Sequence, residues 1–94
     1  MILLAPDAVE DVERLRTFLD QNNPGAAQRA LESIWTAIER LQEFPEMGMQ
    51  TEDAGIRQIV VRFGSSGYIV RYAVLPGDHD ILITRIWHGR EARI

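Results

Sequence analysis

The chain has 94 residues, a net charge of −4 and no cysteine, with 46% hydrophobic and 26% charged residues. That is one ordered domain, and the missing cysteines exclude disulfides, a cysteine nucleophile and thiolate metal sites. Only His79 and His88 are left as imidazoles, so no metal or other cofactor is expected, and the absence of a signal peptide pattern or a membrane-length apolar run makes the cytosol the expected compartment.

Ile2-Leu3-Leu4 reads as a short strand stopped by Pro6. Asp7 then looks like an N-cap, with Glu10 three residues on, close to a capping box. Val9, Val12, Leu15, Phe18 and Leu19 recur at helical spacing and predict an amphipathic helix over 8–21. Glu10, Asp11, Glu13, Arg14 and Arg16 are placed on its wet side. Asn23-Pro24 starts a second helix, with Asn23 as N-cap and proline at the first helical position. Ala27, Leu31, Ile34, Ile38 and Leu41 form its buried stripe, with Ala30 and Ala37 beside it and Trp35 on the flank. The two make a helical hairpin over about 7–44, ended by Phe44-Pro45.

Residues 45–55 are a turn-rich connection. After it the apolar period changes from 3.6 to two. Ile56 to Phe63, Tyr68 to Leu75 and Ile81 to Trp87 read as strands joined by short turns, which implies an antiparallel meander over about 56–88. The expected fold class is α+β in the order β-α-α-β-β-β: one domain over 1–94, with the helical hairpin packed on one face of an antiparallel sheet.

Charge divides along this plan. Residues 1–53 hold four arginines against eleven acids, and residues 54–94 hold six against three, with no lysine anywhere. Arginine suits bidentate grips on carboxylate and phosphate and stacks on aromatic rings. Strict alternation puts Ile81, Ile83, Arg85 and Trp87 on one face of the last strand and Leu82, Thr84, Ile86 and His88 on the other. A sheet face carrying Arg62, Arg71 and Arg85 among apolar neighbours is expected to stay open to a partner.

Chemistry is sparse by comparison. Ser65 and Ser66 lie in a Gly-bounded turn without the context of a serine nucleophile. Gly64-Ser65-Ser66-Gly67 is too short for a phosphate loop and precedes a strand. His79 sits in a solvated turn. His88, beside Arg90 and Glu91, is the best titratable candidate. Two roles are open to it: transferring a proton or bonding a partner, or tying the C-terminus to the sheet.

Several ordered motifs resemble one family. Pro6-Asp7-Ala8 with Asp11, Asn23-Pro24 with Ala26-Ala27, and Leu41 with Phe44-Pro45 and Gly48 resemble the helical half of the ParE/RelE toxin superfamily. Arg57, Arg62-Phe63-Gly64-Ser65-Ser66-Gly67-Tyr68 and His88-Gly89-Arg90-Glu91 resemble its sheet half. The resemblance implies a toxin of a type II toxin–antitoxin module, of the kind tied to plasmid stabilisation. A cognate ParD-like antitoxin with an acidic C-terminal tail would neutralise it, and operator DNA would be met only through that antitoxin. RelE-like members are ribosome-dependent mRNA endoribonucleases that rely on basic side chains and a late tyrosine. In this chain Val60 and Ile69 stand where that branch is basic, and no tyrosine follows Tyr72. These departures point to the ParE-like branch, which inhibits DNA gyrase by binding, without catalysis or a membrane. The expected partner-binding residues are Arg62, Arg71, Arg85, Trp87, His88 and Arg90. The alternative is a RelE-like ribonuclease using His88, Arg90 and Arg62.

Overall fold

The structure is a computed structural model that describes residues 1–91, apart from the side chain of Asn22. Arg93, counted above in the basic half, lies outside the described residues. The elements are β1 (Ile2–Leu4), α1 (Pro6–Asn22), α2 (Pro24–Arg40), β2 (Met49–Gln50), β3 (Arg57–Phe63), β4 (Ser66–Val74) and β5 (Ile81–His88). They form two helices packed on one five-stranded sheet of order β1-β5-β4-β3-β2. The β3-β4-β5 meander is antiparallel, as its short turns require. The sheet as a whole is mixed, because β1 pairs parallel to β5 through Ile2↔Ile81, Leu3↔Leu82 and Leu4↔Ile83. The connection 45–55 is also not free of structure, since β2 forms within it and pairs with β3.

α2 follows its local signals. The Asn23 side chain accepts the Ala26 N–H at 3.1 Å and Pro24 takes the first helical position. Its buried face is Ala27, Ala30, Ile34 and Ile38, continued by Leu41. Those small alanines let the helix lie close against its neighbours.

α1 departs from expectation. It starts at Pro6 with Ala5 as N-cap and no side-chain cap, so Asp7 lies in the first turn rather than capping it. Its buried face is Ala8, Asp11 and Leu15. Val9 and Phe18, placed in the apolar stripe above, are exposed, and Asp11 is the residue that goes in. Positions 8, 11, 15 and 19 share one helical face as readily as an all-apolar set does. Residue type, not spacing, had sent Asp11 outward.

The core lies between the helices and one face of the sheet. Val61, Tyr68, Val70, Tyr72, Ile81, Ile83 and Ile86 fill it from the sheet, with Leu15, Ile34, Ile38 and Leu41 from the helices. The turn into β4 is a two-residue hairpin, closed by Phe63↔Ser66, with Gly64 at φ +60° in its first position.

Tyr72 anchors the connection before β3. Its hydroxyl donates to the Pro45 carbonyl at 2.7 Å and accepts the Gly48 N–H at 3.0 Å. Burial pushes its phenol up, opposed by that bond from Gly48. Arg57 adds bonds from its guanidinium to the Gly48 carbonyl at 2.8 Å and to the Glu46 carbonyl at 3.3 Å.

Candidate functional site

The sheet face away from the helices is organised in cross-strand rows. Val60 lies opposite Ile69, and Ile69 opposite Trp87. This apolar row has Val60 exposed at one end and Trp87 buried at the other. Two residues further along β3, a step of about 7 Å, Arg62 lies opposite Gly67. The Gly89 N–H donates to the Gly67 carbonyl at 2.8 Å, which continues the row across β5. The row Arg62–Gly67–Gly89 is therefore a strip of main chain with no side chain beyond Arg62, and Arg90 follows at its far end. A Cβ on Gly89 would stand 3.1 Å from the Gly67 carbonyl oxygen, so the two strands meet closely there.

On the other side of the apolar row lies Arg71, opposite both Gln58 and Arg85. Its Nε donates to Gln58 Oε1 at 3.1 Å, and its Nη atoms pair with Glu52 at 3.1 Å and Asp53 at 3.6 Å. The guanidinium carbon stands 5.4 Å from the Trp87 ring centroid, within cation–π range. Arg71 thus joins the acidic 52–53 turn to the aromatic on β5. Its replacement by methionine keeps the stem and removes these bonds, and is expected to cost about 1–2 kcal/mol, since the pairs are rim-exposed and the stacking is modest. Urea unfolding midpoints would measure it.

The register between β4 and β5 shifts between Arg71 and Tyr72, so that Arg71↔Arg85 is followed by Tyr72↔Ile83 and Thr84 is extra. This bulge reverses the alternation inferred from sequence. Ile81 and Ile83, expected on the open face with Arg85 and Trp87, are core residues together with Ile86, while Trp87 and His88 keep the faces expected of them. Trp87 lies on the open face. His88 lies opposite Tyr68, with ring centroids 5.1 Å apart in an edge-to-face arrangement, and 6.4 Å from the ring of Phe18 on α1. Its Nδ1 accepts the Arg90 N–H at 3.0 Å, which leaves the proton of a neutral ring on Nε2.

The bulge coincides with a change in what covers the β5 edge. β1 leaves β5 at Ile83, whose carbonyl takes the Ala5 N–H at 2.9 Å. Beyond that point α1 covers the β5 edge with side chains. Asp11 Oδ2 accepts both the Arg85 Nε at 2.8 Å and the Ile86 N–H at 2.8 Å. Asp11 Oδ1 accepts from Arg85 and from Arg14. Arg14 in turn donates to the Ile86 carbonyl at 3.2 Å and pairs with Glu91 at 2.9 Å. Glu91 accepts the His88 N–H at 3.2 Å. Burial alone would push the Asp11 carboxyl up, but the bonds from Arg85, Arg14 and the Ile86 N–H outweigh it and hold it below the usual carboxylate range.

The expected site residues therefore do not form one group. Arg62, Trp87 and Arg71 share the open face, and Arg90 stands at its end. Arg85 is drawn to α1 and His88 lies on the helix side. Arg62 and Arg90 are exposed and, among the described residues, pair with no carboxylate. Asp11, Arg14 and Glu91, which shape the C-terminal stretch, were not singled out from sequence as site residues, and only the helical spacing of Asp11 with Ala8 and Leu15 could have marked it.

Known proteins share this fold. The family described as ParE toxin of type II toxin-antitoxin system, parDE, matches residues 2–93. Toxin RelE3 of Caulobacter vibrioides is 34% identical over 90 residues, covering 96% of this chain and 95% of that toxin. The chromosomal ParDE toxin–antitoxin system of P. aeruginosa has a chain of the same fold, with a TM-score of 0.76, 19% identity and coverage of 93% and 92%. A chain of the intact E. coli RelBE toxin–antitoxin complex superposes with a TM-score of 0.66 at 12% identity, covering 97% and 98%. With a family match over nearly its whole length and a relative of this identity, the chain belongs to the ParE toxin family of type II toxin–antitoxin systems, within the ParE/RelE superfamily.

Proposed function

We propose that this toxin works by gripping DNA gyrase through its open sheet face, and that a ParD-like antitoxin with an acidic C-terminal tail neutralises it. The observation that carries the reading is the composition of that face. The row of Val60, Ile69 and Trp87 is apolar, with Val60 its exposed end, and the cations free to meet a partner, Arg62 and Arg90, stand at opposite ends of the strip beside it. An apolar strip edged by arginine is the usual anatomy of a protein-binding surface. Catalytic groups are few. Tyr68 and Tyr72 are 2% and 0% exposed, so neither phenol reaches a substrate, and burial pushes both up.

Purified, folded chain is expected to inhibit supercoiling by gyrase, and Arg62→Ala and Arg90→Ala are each expected to weaken inhibition about tenfold, or ~1.4 kcal/mol. Full supercoiling at several-fold molar excess of toxin would overturn the reading.

A second reading rests on the bare strip between Arg62 and Arg90. Two cations flanking exposed main chain suit a phosphate, and a relative carries a RelE name. As an mRNA endoribonuclease the chain would cleave on translating ribosomes, with Arg62 and Arg90 on the phosphate and His88 as acid or base. Toeprinting decides between the two, and cleavage lost in His88→Ala would favour this second one.

A further inference from the structure

At the end of the sheet where β3 begins, three segments stand around an open cleft: the connection before β3, the end of β4 and the turn before β5. Its volume is about 700 Å³, and its walls include Phe44, Glu46, Met47, Arg57, Val74 and His79. That is the size of a site for a small organic molecule. Arg57 opens β3 and Arg62 follows five residues on, roughly 17 Å along the strand. The cleft is therefore separate from the strip between Arg62 and Arg90.

Arg57 gives the cleft its positive charge. Both hydrogen bonds it makes leave from Nη1, to the main-chain carbonyls of Gly48 and Glu46. They pin the guanidinium without neutralising it. Its Nε and Nη2 meet no acceptor among the described residues, and no carboxylate pairs with it there. Nε and Nη2 form an edge of the guanidinium that takes a carboxylate through two parallel bonds. Arg57 is half-buried, so water competes less for that edge than for an arginine in open solvent.

Glu46 gives the cleft a negative charge. It is exposed and, among the described residues, forms no ion pair, with Arg57 or any other cation. The two charges are nonetheless neighbours. Burial pushes the Tyr72 phenol up, and of the two charges Arg57 opposes that shift while Glu46 adds to it. Both therefore stand near one buried hydroxyl while remaining more than ion-pair distance apart. An unpaired cation and an unpaired anion on one wall suit a ligand that carries both charges.

The rest of the wall suits an apolar body. Phe44 and Met47 are 52% and 42% exposed, and Pro45 and Val74 lie with them. A Cβ added at Gly55 would meet nothing within 4 Å, so that side of the cleft is open for entry.

We propose that this cleft binds a free α-amino acid with an apolar side chain. The α-carboxylate takes the Nε–Nη2 edge of Arg57, and the α-ammonium meets Glu46. The side chain lies against Phe44, Met47 and Val74. The proposal does not depend on how the toxin acts on its target.

The test is a titration of the full, isotope-labelled chain with L-phenylalanine, followed by NMR at the amides of Met47, Gly55 and His79 and at Arg57 Nε. Saturable shifts are expected there, with a Kd on the order of 1 mM, as befits a ligand of this size. Phenethylamine, which lacks the carboxylate, is expected to bind about tenfold more weakly. 3-Phenylpropanoate, which lacks the ammonium, is expected to bind about fivefold more weakly, since Glu46 is exposed. Glycine, without the apolar body, is expected to give no shift. Glu46→Gln should bring phenylalanine down to the level of 3-phenylpropanoate and leave 3-phenylpropanoate no weaker. Arg57→Lys keeps the charge but loses the two-bond edge, and should weaken phenylalanine about tenfold. If that variant fails to fold, Phe44→Ala, a change at an exposed side chain, should weaken it by a similar factor. No saturable shift at these positions up to about 20 mM phenylalanine, equal binding of phenethylamine and phenylalanine, or an unchanged preference over 3-phenylpropanoate in Glu46→Gln would each overturn the proposal. Neither gyrase nor antitoxin enters this assay, so its outcome is separable from that of the supercoiling test.

Discussion

Replacing Asp11 by alanine is expected to lower the unfolding free energy by about 3 kcal/mol, the low end of what removing one partner of a buried ion pair costs. Asp11 is 2% exposed and accepts from Arg85, Arg14 and the Ile86 N–H. The low end applies because the arginine side chains are about 40% exposed and can recover water. The Ile86 N–H cannot, and an unsatisfied buried donor costs about 1–3 kcal/mol by itself. For a domain of this size the midpoint of thermal unfolding should fall on the order of 15 °C.

The pH dependence gives a second signature. The folded Asp11 carboxyl sits below its ordinary value of 3.8. Its contribution is therefore present above that value and is lost as pH falls through the lower folded one. Wild type should lose stability across that acid range, and Asp11→Asn, which keeps the shape but not the charge, should lose less there. Urea denaturation at neutral pH and in acid would show it. Parallel curves for wild type and Asp11→Asn, or a neutral-pH loss under about 1 kcal/mol for Asp11→Ala, would show that the network is not what holds α1 to β5.

Much of the fold is legible in the chain because local and global signals agree. Asn23-Pro24 marks a helix start with a cap and a ring that needs no N–H, and the period-two runs mark the meander. Where legibility failed, the cause is long-range. Asp11 is acidic, and nothing within α1 reveals that Arg85 and Ile86, more than seventy residues on, will meet its charge. The bulge at Thr84 lies beside the same contact, and one extra residue defeats any argument from strict alternation. This is why Ile81 and Ile83, which are core residues, were placed on the same face as Trp87. β1 was legible as a strand, but its parallel pairing was not, because three residues carry no mark of direction. Arg62 and Arg90 were found correctly as exposed cations, since their surroundings are local turns and strand ends. Arg71 and Arg85 were not, because their partners Glu52, Asp53 and Asp11 belong to other elements.

Gly48→Ala is expected to destabilise the domain by about 3 kcal/mol and to release β2, at the upper end of the usual overpacking cost. A Cβ at this position would stand 2.6 Å from the Tyr72 hydroxyl oxygen, 2.8 Å from its Cε1 and 2.9 Å from the Gln58 carbonyl oxygen. Tyr72 is fully buried and its hydroxyl is held by Pro45 and Gly48, so the ring has nowhere to go. The Gln58 carbonyl is main chain of β3, in the pair with Met49 that fastens β2. Removing the hydroxyl therefore does not solve the problem. Tyr72→Phe alone should cost about 1–3 kcal/mol, for the Gly48 N–H left without an acceptor. The double variant should recover only a minor part of the Gly48→Ala loss, because the ring carbon and the carbonyl remain in the way. A double-mutant cycle from urea midpoints reads this coupling directly. Full rescue by Tyr72→Phe would place the conflict at the hydroxyl alone and leave β2 unaffected. If β2 is released, the free edge of β3 lengthens to include Gln58, whose amide should then exchange faster in Gly48→Ala than in wild type.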